Sequence, residues 1–192
     1  MALSVIVDPG MAGALLSGRK TQMRVLADSA LAQAEPGAIL RVREACIAAR
    51  EKAGQEYATA LNRADYVIFP DGWRQMRDGS GWQGARKADG EHQWVPAIQA
   101  PYWACRMGLL VEGRRAEPLR QIRRRDIRAE GAVPLLGGLL WRWPKPIPGL
   151  HLGARRAFAR YWDLNHPAPG ARWEDDPEVI VLDVRLVAGP MG

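Results

Sequence analysis

The chain has 192 residues, 47% of them hydrophobic and 25% charged, which is enough to bury a core and excludes global disorder. No apolar run reaches the roughly 18–20 residues of a membrane-spanning helix, and MALSVIVDPG lacks a basic stretch ahead of its apolar residues, so neither an integral membrane protein nor a signal peptide is expected. Lys and Arg number 27 against 21 Asp and Glu, and the net charge of +6 points towards a polyanionic partner.

Leu3 to Val7 reads as a short strand. Asp8-Pro9 then offers an N-cap and a proline at the first helical position. Met11, Ala14, Leu15 and Leu16 supply one apolar face and Gly18 a stop, predicting a helix over 9–17. After the Pro36-Gly37 turn, Ile39, Leu40 and Val42 read as a strand that carries Arg41, Arg43 and Glu44. Residues 48–64 are polar and alanine-rich, a helix or a surface insert. Tyr66 to Phe69 is a strand, and 70–93, with no period, reads as a long loop. Residues 94–101 look extended between prolines, and Met107 to Val111 alternates like a strand.

Seven arginines fall within residues 114–128, ending in a helix over 123–130 that stops before Gly131. A proline- and glycine-rich stretch, 134–150, leads to a helix from Ala154 to Leu164 with Ala157, Phe158, Tyr161 and Trp162 near one face. Glu178 to Val187 is the last strand. Five or six strands with three or four short helices, not in regular alternation, predict an α+β fold with a largely antiparallel, barrel-like sheet.

Cys46 and Cys105 are too few for a disulfide scaffold, and His92, His151 and His166 are too scattered for a zinc finger. A single Cys46–Cys105 bridge stays open as a pairing; both are taken as reduced, as in a cytoplasmic protein. Gly18-Arg19-Lys20-Thr21 lacks the upstream glycine of a phosphate loop. Neither a Gly-x-Ser-x-Gly elbow nor His-Glu-x-x-His occurs. No cofactor or metal is expected.

One ordered series of segments stands out. It comprises Gly18-Arg19-Lys20-Thr21-Gln22-Met23-Arg24, then Pro36-Gly37-Ala38-Ile39-Leu40-Arg41-Val42-Arg43-Glu44, then Pro96 to Arg106. Leu119-x-x-Ile122 with Asp126-Ile127-Arg128-Ala129-Glu130-Gly131 follows, and Phe158 to Asn165, Trp173 to Pro177 and the final strand complete it. In that order the segments resemble the ASCH family of the PUA-like superfamily, and most closely its phage and prophage members. The resemblance implies a single domain over 1–192, a mostly antiparallel β-barrel with flanking short helices and a central cleft, with inserts at about 48–93 and 134–152. It also implies binding of RNA or a modified nucleoside in that cleft.

Some members of the family resemble amidohydrolases that deacetylate N4-acetylcytidine with a lysine, a threonine and a glutamate. Carried over, the lysine is Lys20 and the glutamate Glu130, while the threonine position holds Met23. A cleft lysine can orient an acyl oxygen or act as a base, and a glutamate can shuttle a proton or read an exocyclic amine. Methionine offers neither nucleophile nor donor, and Thr21 is a substitute only in type. Lys20 and Glu130 are therefore the catalytic candidates.

The binding candidates are Lys20, Thr21, Arg24, Arg43, Glu44, Trp103, Arg106, Arg120, Arg124 and Arg128. Bland readings stand beside these. Lys20 could be a solvated turn residue. Glu130 could pair with Arg24, Arg43 or Arg106, and Glu44 could be a cleft carboxylate or an ion-pair partner. Arg120, Arg124 and Arg128 would share a face of a continuous helix, as a phosphate track or a solvated surface. Trp103, Trp141 and Trp143 could stack on bases or sit in the core. RNA cleavage using Glu130 or His92 with Lys20, and a protein-interaction module, are the other readings.

Overall fold

The computed structural model describes residues 3–85, 93–144 and 149–188. It is a mixed α+β structure made mostly of strands. The strands are β1 (Ser4–Ile6), β2 (Gln22–Leu26), β3 (Ile39–Arg43), β4 (Ile47–Lys52), β5 (Gln55–Ala58), β6 (Tyr66–Ile68), β7 (Trp73–Met76), β8 (Gly81–Gln83), β9 (Met107–Pro118), β10 (Val133–Leu135), β11 (Leu140–Arg142), β12 (Leu150–Leu152) and β13 (Glu178–Ala188). The helices are α1 (Pro9–Leu16), α2 (Arg124–Ala129) and α3 (Ala154–Asn165). Described residues thus contain more strands than the five or six expected, and most of the extra ones lie where loop or helix was read.

The chain divides into two compact units. One is built from Gly10–Leu40 and Leu109–Leu186, the other from Ser4–Pro9 and Arg41–Gly108.

In the first unit β9, β13 and β2 are neighbours in that order, and β13 pairs antiparallel with β2, Asp183 opposite Gln22 and Val181 opposite Arg24. Side chains alternate across a strand, so Gln22 and Arg24 share one face of β2 while Met23 and Val25 share the other. A second sheet, β10-β11-β12, is an antiparallel meander. It occupies the expected 134–152 insert. α3 buries Ala154, Ala157, Phe158 and Trp162, the spacing of one helical stripe. Its aromatic face meets Trp143, stacked on Tyr161 at 4.5 Å and edge-on to Phe158 at 5.7 Å. Trp141 and Trp143 are only 1% and 2% exposed, so they are core residues and cannot stack on bases.

In the second unit β1 pairs parallel with β3. The antiparallel sheet β5-β4-β6-β7-β8 fills most of the rest. Residues 48–64 are therefore not a helix, and 70–85 is not a loop. Alternation gives this sheet two apolar faces. Ile47, Ala49, Tyr66 and Ile68 form one cluster, with Trp94 and Met76 against it. Cys46, Val67, Phe69, Ala100 and Ala104 form the other, packed with Trp73 and Trp103. Ala97–Gln99, expected to be extended, is a 3-10 turn.

Candidate functional site

The first unit brings Lys20, Arg24 and Glu130 together. α1 ends at Leu16, Gly18 follows in the turn, and the backbone N–H groups of Arg19 and Lys20 both donate to Ala14 O, at 2.9 and 3.0 Å. This terminates the helix and sets Lys20 just ahead of β2. α2 ends at Ala129 with Glu130 as its C-cap, and Gly131 follows at φ +109°, a conformation that glycine adopts without a steric penalty. A Cβ on Gly131 would also lie 3.3 Å from Ala14 Cβ and 3.6 Å from Lys20 Cβ, so a larger residue would crowd the two helix ends. A backbone bridge between Lys20 and Glu130, and Thr21 N–H donating to Ala129 O at 2.8 Å, lock the two segments side by side.

Lys20 is 7% exposed. Its ammonium donates to Glu130 Oε2 at 2.7 Å, to Glu130 O at 3.2 Å and to Gln22 O at 2.9 Å. Those three contacts match its three N–H bonds. Glu130 Oε1 accepts from Arg24 Nη1 at 3.0 Å, so one carboxylate binds two cations. Arg24 also donates to Gln22 Oε1 at 2.8 Å and to Glu117 Oε1 at 2.7 Å, and its guanidinium lies over the Phe158 ring at 6.0 Å. Gln22 Nε2 in turn donates to Asp183 Oδ1 at 2.6 Å. Arg115 reaches Glu117 at 3.2 Å and Asp183 at 3.3 Å. Asp126 accepts from the Arg123 N–H at 2.9 Å, stabilising the first turn of α2, and lies 3.8 Å from Arg24.

Glu117, Asp126, Asp183, Gln22 and Arg115 were not singled out from the sequence as partners in this cluster. For Gln22 and Asp183 the one local signal is a polar residue within a mostly apolar strand, while Arg115 and Glu117 lie in the charged end of β9 and Asp126 in α2. Met23, at the hydrolase threonine's position, is buried on the opposite face of β2 from Gln22 and Arg24. Thr21 is exposed.

The arginine run is divided among several tasks. Arg114 donates to Ala32 O, and Arg115 joins the cluster above. Arg120 lies in a 3-10 turn, Leu119–Gln121, that ends before α2 begins. The continuous helical face through Arg120, Arg124 and Arg128 therefore does not form. Arg124, Arg125 and Arg128 remain together on α2 and line an open groove of about 440 Å³ with Trp141 and Gly138. A further groove, of about 370 Å³, is bounded by Gly18-Arg19 on one side and Arg128-Ala129 on the other. These are the residues directly before Lys20 and Glu130.

The second unit holds Arg43, Glu44, Trp103 and Arg106. Arg106 binds Glu44 through two parallel hydrogen bonds of 2.8 Å, binds Asp71 at 2.8 Å, and lies 4.1 Å over the Phe69 ring. Glu44 is thus an ion-pair partner. Its burial raises its pKa, Arg106 pulls the other way, and Asp71 adds to the rise. Arg43 donates to Ala100 O. Trp103 is half-buried beneath Arg77, whose guanidinium lies 4.8 Å from its ring. Cys46 and Cys105 are free and buried. Burial, Glu44 and Cys105 push the Cys46 thiol up to about 12, and burial raises Cys105, so neither is a thiolate nucleophile near neutrality.

No group of three or more metal-ligating side chains occurs among the described residues, and His92 lies outside them. No helix of the described residues is long and apolar enough to cross a membrane. Compared with known proteins, the chain matches no family model, no curated protein and no solved structure.

Proposed function

We propose that the chain is a PUA-like protein of ASCH type, related to phage and prophage members, that binds RNA or a modified nucleoside through the basic side of its first unit. The observation that carries this is the groove between Gly18-Arg19 and Arg128-Ala129, next to the Lys20–Glu130 pair. Two motif segments 110 residues apart meet there, and each presents an exposed arginine. Arginine forks bind phosphate with directional hydrogen bonds, while the buried Lys20–Glu130–Arg24 cluster holds the groove's walls in place.

Fluorescence titration with a short RNA and a panel of modified nucleosides tests this. Arg19→Ala and Arg128→Ala should each weaken RNA binding roughly five- to tenfold, about 1–1.4 kcal/mol, with no change in melting temperature. Absent binding, or affinity indifferent to both changes, would refute it.

Hydrolysis of an N4-acylated cytidine has one observation in its favour: the lysine and glutamate that the resemblance implies are in direct contact. Two features argue for binding instead. The three hydrogen bonds of the Lys20 ammonium leave no donor for an acyl oxygen, and Met23 lies on the far face of β2. Mass spectrometry of an N4-acetylcytidine incubation is expected to show no deacetylation. Turnover abolished by Lys20→Ala would make the protein an enzyme.

A further inference from the structure

Three grooves in the first unit share their walls. The groove beside Arg19 and the groove under Arg124 and Arg125 have Arg128 and Pro134 in common. The latter shares Arg124 and Gly138 with a third groove of about 610 Å³, lined further by Leu139, Leu152, Arg155 and Arg156. Arginines line all three, and no carboxylate does among the described lining residues. A lone nucleoside would occupy one groove and leave the others unused.

Arg124, shared by two grooves, is held in place before any ligand arrives. Its Nη2 donates to Gly138 O at 2.6 Å, the same oxygen that accepts from Trp141 Nε1 at 2.9 Å. Its guanidinium lies 5.6 Å from the centroid of the buried Trp141 ring. Gly138 sits at φ +87°, and a Cβ there would lie 2.3 Å from Arg124 Nη2, so glycine is what lets the guanidinium lie this close. A guanidinium has five N–H donors, and fixing one edge leaves others for an anion without loss of side-chain freedom on binding.

We propose that these grooves form one phosphate track, centred on Arg124, that takes a single-stranded nucleic-acid segment with about one phosphate in each groove. This rests on the binding function proposed above and specifies its ligand as a strand. The exposed Leu139 and Leu152 in the third groove favour a single strand, because apolar side chains gain contact with unstacked bases, which a duplex keeps inside.

The test is fluorescence anisotropy with labelled oligouridylates of roughly two, four and eight nucleotides, a blunt duplex and free uridine monophosphate, each titrated at several salt concentrations. Affinity should rise up to about four nucleotides and then level, with a log–log salt slope near −2 for about three phosphates at ~0.7 each. Arg124→Ala should weaken octamer binding about tenfold or more and flatten the slope by about 0.7 or more. Gly138→Ala keeps every charge but displaces Arg124, and should weaken octamer binding in the same direction. Should it fail to fold, Arg156→Ala, on the exposed rim of the third groove, should weaken the octamer and flatten its salt slope by about 0.7.

A dinucleotide that binds as tightly as the octamer, an unaltered slope in Arg124→Ala, or a preference for the duplex overturns the track. If the free nucleotide still binds in that case, the function proposed above survives. No binding by any probe overturns both.

Discussion

Each unit buries an arginine among carboxylates, but the two clusters are wired differently. In the first, Glu130 binds two cations, Lys20 and Arg24, and Arg24 itself spans Glu130 and Glu117. In the second, Arg106 is the one cation bound to Glu44 among the described residues, and it is shared with Asp71. Burying a carboxylate costs several kcal/mol, and only close partners repay it. Two cations per carboxylate spread the repayment; one cation concentrates it. Glu130 can therefore lose a cation and stay paired. Glu44 cannot, and there the effect of burial on its pKa outweighs the effect of its partner.

Removing one cation from each cluster tests this contrast most severely. Arg106→Met strands Glu44 and should cost about 3–5 kcal/mol at neutral pH, read from urea unfolding. Lys20→Met leaves Glu130 bound to Arg24 and should cost about 1–3 kcal/mol. Equal losses would mean that the second cation at Glu130 adds nothing.

A substitution on the other face of β2 sharpens the account of the first cluster. Met23→Thr restores the residue type that the ASCH resemblance implies for a hydrolase. Met23 is 7% exposed and points away from Gln22 and Arg24, so the change should cost about 1–3 kcal/mol and give no deacetylase activity. Gain of turnover on N4-acetylcytidine would show that the cluster is one substitution from a catalytic site.

The sequence made some of this architecture readable and hid the rest for physical reasons. α1 was marked by Asp8-Pro9 and Gly18, and α2 by its stop at Gly131, because helix ends use local chemistry. Lys20, Arg24 and Glu130 could be named because each lies in a motif segment. Their partners Glu117, Asp126 and Asp183 could not be paired in advance, since these contacts join β9, α2 and β13 across long stretches of chain. Of the sheet through 47–83 only Tyr66 to Phe69 was read as a strand; the rest was read as helix, insert or loop because its charges and glycines imitate a loop. Its charges are partly buried: Arg74 is 6% exposed and binds Glu56 at 3.0 Å. One of its glycines is a packing requirement, because a Cβ at Gly81 would lie 2.2 Å from Arg74 O. Burial on both faces also removes the alternation that marks a half-exposed strand.

The smallest effect concerns pH and asks whether burial or Arg106 governs Glu44. Its pKa is raised above the ordinary 4.5, first by burial. Across the window from about 4.5 up to that raised value, the folded protein keeps a proton that the unfolded chain has released. The native state then binds more protons, so its stability falls as pH rises through the window and is flat above it. Glu44→Gln carries no such proton. The stability of the wild type minus that of Glu44→Gln should therefore decline from pH 4 towards pH 7, by less than about 1.4 kcal/mol per pH unit, the limit for one proton. Urea unfolding of both proteins at each pH gives the difference directly. A difference that rises with pH would mean that the two hydrogen bonds from Arg106 outweigh desolvation, and one well-placed arginine would then suffice to hold a buried carboxylate ionised.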